Sequence, residues 1–402
     1  MLKAFEHAET AAPAEAKLSK NERSRTIDIL RGLVIVLMVL DHVRDYFHVN
    51  AFVFDPTDPA RTTPLLFTVR WITHICAPTF VLLAGASARL QRSGNRTAWS
   101  LSHYLLTRGL WLIALEFTVL AFGFNFAVPF AFVHVIWAIG FSMIVLAALV
   151  HLPARAVLAI GLVIIVGHQV LAPFDAVGSG VDAVAWRLLM EPGPASFWPG
   201  VILYPAVPWL GIMCVGYGLG SVFLLPQPRQ DKTLLVSGAI LLSAFLVVRA
   251  LNGYGDPRTW TSYDAPMQTV MSFMNVSKYP PSLSYVLATL GVASIGASFT
   301  GRVQGLFADV LLAFGRTPLF TYIIHIYVVH GSAMLLAVML GFPPFLLVNF
   351  LGDTSRAIEA GWGVGLTWVF VIWLSTVALL YPLSRWFASI KRRRRDWWLS
   401  YL

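Results

Sequence analysis

The sequence predicts an all-α fold: a polytopic transmembrane helix bundle of about ten spans, with both termini cytoplasmic. Three observations predict it. Of 402 residues, 57% are hydrophobic and 12% charged, and mean hydropathy is +0.71. A soluble domain carries about 25% charged residues, so this chain lacks the polar surface that water demands. Apolar segments long enough for a hydrocarbon core of about 30 Å recur along the whole chain. The basic residues, finally, fall in alternate loops, which is how a membrane protein fixes its orientation. The net charge of +9 is explained by that rule rather than by nucleic acid.

The first span, 28–48, opens on Asp28 and Arg31, runs through nine apolar or glycine positions, and closes on Asp41-His42-Val43-Arg44-Asp45. Further spans are expected at roughly 65–90, 104–124, 129–150, 154–172, 200–224, 233–251, 282–300, 317–341 and 362–388. Loops rich in Pro, Gly and Asp interrupt them at 173–199 and 252–281. The run 302–341 is too long for one helix. Gly315-Arg316-Thr317-Pro318 divides it, because Pro favours a helix start and drives the preceding residue from helical geometry. Residues 303–314 then read as an interfacial or re-entrant piece. The apolar 343–350 is too short to cross.

Residues 1–22 are polar and alanine-rich, with no cleavage site after a short apolar core, and read as a disordered cytoplasmic tail. The membrane domain is 23–390. The basic C-terminus, 391–402, contains Lys391-Arg392-Arg393-Arg394-Arg395 and reads as a juxtamembrane anchor against anionic lipid. Cys76 and Cys214 sit inside apolar runs, so no disulfide framework is indicated. Arg23, Arg25, Arg89, Arg92, Arg96, Arg108, Arg155, Arg229, Lys232 and Arg302 share one side only if the number of spans is even. That places His42 and His74 at similar depth toward the outside, and Arg31 and Arg316 toward the cytoplasm.

Ionisable residues at such depth are expensive and usually functional. Eleven helical residues turn about 1,100°, so Arg31 and His42 point the same way, about 16 Å apart. His42 reads either as a general base, oriented or charge-stabilised by Asp41 or Asp45, or as an interfacial histidine beside a helix-end arginine. Arg70, His74 and Pro78 share the face of the second span. His74 reads as a polar packing residue or as part of an active site, and the small run Ala84-Gly85-Ala86-Ser87-Ala88 as a seat for a neighbouring helix. In the ninth span Tyr322 and His325 lie one turn apart, whereas His330 faces elsewhere. Trp209 begins the sixth span. Lys278 and Tyr279, followed by two prolines, suit either an acidic or sugar-like substrate or an aromatic belt with a rigid turn. No His/Glu/Cys set has zinc spacing, so no metal is expected. Gly216-Tyr217-Gly218-Leu219-Gly220 lies within a span and reads as helix packing.

Together these motifs resemble the bacterial branch of the heparan-alpha-glucosaminide N-acetyltransferase catalytic-domain family, over roughly 24–390. The resemblance rests on Arg25-Thr26-Ile27-Asp28-Ile29-Leu30-Arg31-Gly32, Asp41-His42-Val43-Arg44-Asp45, His74-Ile75-Cys76-Ala77-Pro78-Thr79-Phe80 with Leu83-Ala84-Gly85, Pro208-Trp209-Leu210-Gly211, Lys278-Tyr279-Pro280-Pro281-Ser282, and Gly315-Arg316-Thr317-Pro318-Leu319-Phe320-Thr321-Tyr322 with His325. The Arg31-to-His42 spacing also looks like that of the wider superfamily of integral-membrane acyltransferases. The resemblance implies an acetyl-CoA-dependent O- or N-acetyltransferase, taking an acyl group from acetyl-CoA or another acyl-CoA to a hydroxyl or amine of a carbohydrate-like acceptor. Lysosomal members place their active histidine between the first and second spans, where this chain offers His48.

On this reading His42, then His74, then His48 are candidates for the catalytic base, with Asp45 orienting. Arg31 and Arg316, with Tyr322 and His325, would hold the cofactor; Arg70, Trp209, Lys278 and Tyr279 the acceptor. The partners expected are the lipid bilayer, the acceptor and, as one option, a second copy in a homodimer; nucleic acid is not among them. The localisation expected is a bacterial-type inner membrane. The alternative is a proton-coupled transporter or exporter of a small polar solute, its buried His and Asp forming a relay.

Overall fold

A computed structural model describes residues 20–402 apart from 95, 129–130, 172–177, 179, 196–197 and 395. The tail expected over 1–22 lies outside them up to residue 19, and Lys20 already opens the first helix. In order the elements are α1 Lys20–Phe47, α2 Pro64–Thr73, α3 Cys76–Ser93, α4 Ala98–Leu115, α5 Ala121–Asn125, β1 Ala131–Val133, α6 Val135–Leu149, α7 Ala154–Gly167, α8 Val181–Leu189, β2 Gly193–Pro194, β3 Gly200–Ile202, α9 Ala206–Leu219, α10 Gln227–Leu251, α11 Pro266–Met274, α12 Leu283–Ala297, α13 Gly305–Arg316, α14 Pro318–Met339, α15 Ser355–Glu359 and α16 Leu366–Arg393. The protein is a helix bundle. Among the described residues, eight helical stretches are long and apolar enough to cross a membrane. The two other expected spans correspond to α1, interrupted by charges, and to α6, about 22 Å long.

Starts and breaks follow the local chemistry. Thr63, Thr97 and Ser282 cap α2, α4 and α12 by accepting from the amides of Leu66, Ser100 and Tyr285, and Pro64, Pro266 and Pro318 stand in first turns, where a missing N–H costs nothing. The second span is broken at His74–Ile75 between α2 and α3. Pro78 explains it: with no N–H, it leaves the His74 carbonyl without its helical donor. The Tyr285 hydroxyl takes that carbonyl at 2.7 Å. The third span loosens into a π-turn at Glu116–Leu120 before α5.

Close helix approaches bring the site together. A Cβ on Gly85 would meet the Met213 carbonyl of α9, so the small-residue run does seat a neighbour; Gly216 on α9 likewise meets Leu82. The piece after 302 is the separate helix α13, which crosses α1 where Gly32 meets the Leu311 backbone and Gly315 meets that of Asp28. A short three-stranded sheet, in order β1-β3-β2, was not foreseen. Its strands are two or three residues long: β1 and β3 occupy the leading ends of segments read as spans 129–150 and 200–224, and β2 lies in the segment read as the loop 173–199.

Candidate functional site

A cavity of about 530 Å³ opens between the C-terminal half of α1, the start of α2, the β1 and β3 segments and the turn at Lys278–Tyr279. Its polar wall is a charge network. Asp41, 8% exposed, accepts two bonds from Arg70 at 2.7 and 2.8 Å, one from Arg44 at 2.9 Å and one from the Thr73 hydroxyl at 2.8 Å. Arg44 also reaches Asp45 at 2.6 Å. A buried carboxylate is tolerable only when its lone pairs are met this fully. The network ties α1 to α2. Lys278 adds a third cation, its ammonium over the rings of Tyr279 and Tyr204 at 5.2 and 5.9 Å. Asp256 accepts from the Ser277 amide and the Ser282 hydroxyl and so clamps the Lys278 turn.

At the cavity's base His42 places Nδ1 2.7 Å from Nε2 of His325, whose Nδ1 stands 3.1 Å from the Thr321 carbonyl. A carbonyl only accepts, so His325 carries its proton on Nδ1 and offers the Nε2 lone pair. His42 then donates from Nδ1, and its own lone pair is on Nε2, the nitrogen left to the cavity it lines. The sequence places α1 and α14 residues in order along their own helices; the packing of α14 on α1 supplies the pair.

The expected site residues divide. Asp45, Arg70, Lys278 and Tyr279 line the cavity with His42. Tyr322 and His325, expected with Arg31 and Arg316 to hold the cofactor, stand at the His42 end: the Tyr322 ring centroid lies 6.4 Å from that of His42. Asp45 does not orient His42. It is held by Arg44, and the orienting group is His325. His74 is drawn away, its ring against Tyr285 at 5.6 Å, and Trp209 is sealed between Tyr204 and Tyr285 at 4.9 and 6.4 Å; both pack rather than line. His48 pairs with Val364 in a backbone bridge and accepts from the Asn50 amide. His330 faces elsewhere, as expected, its nitrogens 3.0 Å from the carbonyls of Gly123 and Leu347.

Arg31 and Arg316 do converge, at the other end of α1. Each lies 3.8 Å from Asp28, and Arg31 also donates to the Ser87 hydroxyl. Lys391 and Arg108 contribute charge at the same place. Three cations around the Asp28 carboxylate, with Arg108 beside Arg31 and Lys391, suit a polyanionic ligand such as a nucleotide phosphate. Among the described residues no three His, Cys, Asp or Glu stand where they would hold a metal ion.

The sequence reading missed one cavity residue and the buried acid that holds it. His134 lines the cavity, and its backbone N–H donates to Glu116, which is fully buried. The signal was present: Glu116 is an acid inside an expected span, which the cost of intramembrane charge marks out.

A helix bundle with a buried imidazole pair, an open cavity and a separate cationic end defines a membrane protein equipped for proton-transfer chemistry. Residues 23–251, more than half of the chain, match the family described as heparan-alpha-glucosaminide N-acetyltransferase, catalytic, and the chain belongs to it. The match ends before Lys278, Arg316 and His325. The family points to an acetyltransferase-type membrane enzyme. A comparison with curated proteins finds no match.

Proposed function

We propose that the protein transfers an acyl group, acetyl in the first instance, from acyl-CoA to a hydroxyl or amine of a carbohydrate-like acceptor, with His42 as general base. The carrying observation is the chain from the Thr321 carbonyl through His325 to His42, which leaves a basic nitrogen facing the cavity. The acceptor lies in that cavity, among Arg70, Lys278 and Tyr279. It gives its proton to His42 Nε2 as it attacks the thioester carbon. The donor's phosphates are held at Arg31 and Arg316, about 16 Å down the helix, so the donor lies along α1. Both termini and the Arg31 end face the cytoplasm, following the loop charges.

The test uses full-length protein in nanodiscs. Acetyl-CoA should raise the melting temperature by mass action and be turned over slowly to free CoA. His42→Ala should keep the thermal shift and lose roughly 10²–10⁴-fold in kcat. Movement of a polar solute in proteoliposomes under a pH gradient, with no response to CoA, would overturn the reading in favour of a transporter.

A further inference from the structure

The cavity carries a second imidazole. His134 stands between β1 and α6, 8% exposed, its ring centroid 6.2 Å from that of His42. Three contacts hold it. Glu116 accepts from the His134 and Trp137 amides at 2.9 and 3.0 Å, capping α6 from another helix and fixing the backbone that carries the ring. Tyr204 meets the ring edge-on at 4.6 Å. The Tyr322 hydroxyl stands 3.2 Å from Nδ1.

The last contact decides the tautomer. Tyr322 is 4% exposed, and among the described residues His134 Nδ1 is the one partner of its hydroxyl. Were Nδ1 the donor, the phenolic proton would be buried with nothing to accept it, which is the costly arrangement. The phenol therefore donates to Nδ1, and His134 bears its proton on Nε2, the nitrogen left to the cavity. Two unlike nitrogens then face the same space: a lone pair on His42 and an N–H on His134.

We infer that His134 is a further catalytic residue of the proposed acyl transfer, donating from Nε2 to the acyl oxygen as that oxygen becomes an oxyanion. The inference rests on the acyltransferase reading above. The acceptor's proton passes to His42 Nε2 while its heteroatom bonds to the thioester carbon, and the carbonyl pair moves onto the oxygen held by His134. Collapse restores the carbonyl and breaks the carbon–sulfur bond, and the departing thiolate takes the proton from His42. His134 gives up no proton, so no further co-reactant enters. A neutral imidazole N–H suits this role because it is a fixed dipole aimed at developing charge.

The test compares His134→Ala, His134→Asn, His134→Gln and Tyr322→Phe in full-length protein in nanodiscs, with acetyl-CoA as donor and glucosamine as probe acceptor. A Gln amide nitrogen reaches the position of Nε2; an Asn nitrogen reaches only that of Nδ1. Ala and Asn should lower kcat by about 10²–10³-fold, the usual cost of one oxyanion donor. Gln should recover at least about tenfold of that, Tyr322→Phe should fall between, and KM for acetyl-CoA should stay near native in all. The pH dependence of kcat, set by His42, should keep its midpoint in the Gln variant. Asn as active as Gln, or a loss confined to KM for glucosamine, would overturn the inference; this comparison stands even if the Ala variant fails to fold. Turnover undiminished in folded His134→Ala overturns the inference alone, whereas no CoA release from the unaltered protein overturns the acyltransferase reading beneath it as well.

Discussion

Replacing His325 with Leu tests the tautomer argument at its hinge. His42 and His325 are 6% and 0% exposed, and their nitrogens approach to 2.7 Å. Without the His325 acceptor, His42 has two choices. Its proton stays on Nδ1, unmet, at a cost of about 1–3 kcal/mol, or it moves to Nε2, where the cavity solvates it and the base is lost. The unreactive tautomer therefore gains about 1–3 kcal/mol, equivalent to about 5–150-fold in population. The expected result is a fall in kcat of that size, with KM for acetyl-CoA near native because the Arg31 end is untouched. His325→Gln offers an amide oxygen to Nδ1 and should recover part of the loss. The assay is CoA release by the nanodisc protein, with the melting temperature measured beside it to exclude misfolding. A folded His325→Leu protein with native kcat refutes the reasoning, and so does a Gln variant no better than Leu.

Other perturbations probe the rest of the molecule. Arg31→Ala should raise KM for acetyl-CoA by the worth of a charge-assisted contact, roughly 1.5–3 kcal/mol, and leave kcat nearly intact; an unchanged KM would remove Arg31 from the donor site. Cysteine at Thr259 should react with an impermeant thiol reagent in intact cells and cysteine at Lys232 should not, the native Cys76 and Cys214 being buried; equal labelling at both would undo the ten-span topology. Gly32→Val forces α1 away from the Leu311 backbone and should cost about 1–3 kcal/mol of stability by overpacking. A melting temperature equal to the native one would show that α13 is not seated there.

The helices were legible because apolar length and proline positions are local properties. What joined them was not. The relative depth of two helices depends on packing, so the nearness of Tyr322 and His325 to His42 could not be read from their own span. Gly32 and Gly315, which set that depth by letting α13 meet the α1 backbone, carry no hint of their partners. His74 looked functional because it is a histidine in a span. Its place is settled by Pro78, four residues on, which frees the His74 carbonyl for Tyr285 and turns the segment into two helices. His134 escaped notice because its position depends on Glu116, eighteen residues earlier and on another helix. By contrast Asp41, Arg44 and Asp45 were found together because one helix carries all three.

The acyl-transfer reading makes a physical demand on the layer between the two ends of α1. The cavity reaches down to Met38, and Arg31 lies seven residues, about 10 Å, beyond it along the helix. Between them Val34 and Ile35 are fully buried. A donor held at Arg31 therefore brings its acyl end to His42 only by parting that packing. In a bilayer the cost is mainly lost dispersion contacts, since lipid leaves little hydrophobic drive between helices. The extended arm of the donor restores such contacts as it enters. A layer sealed until the donor fills it also keeps water from the thioester on the way, so that the first nucleophile it meets beside a base is the acceptor in the cavity.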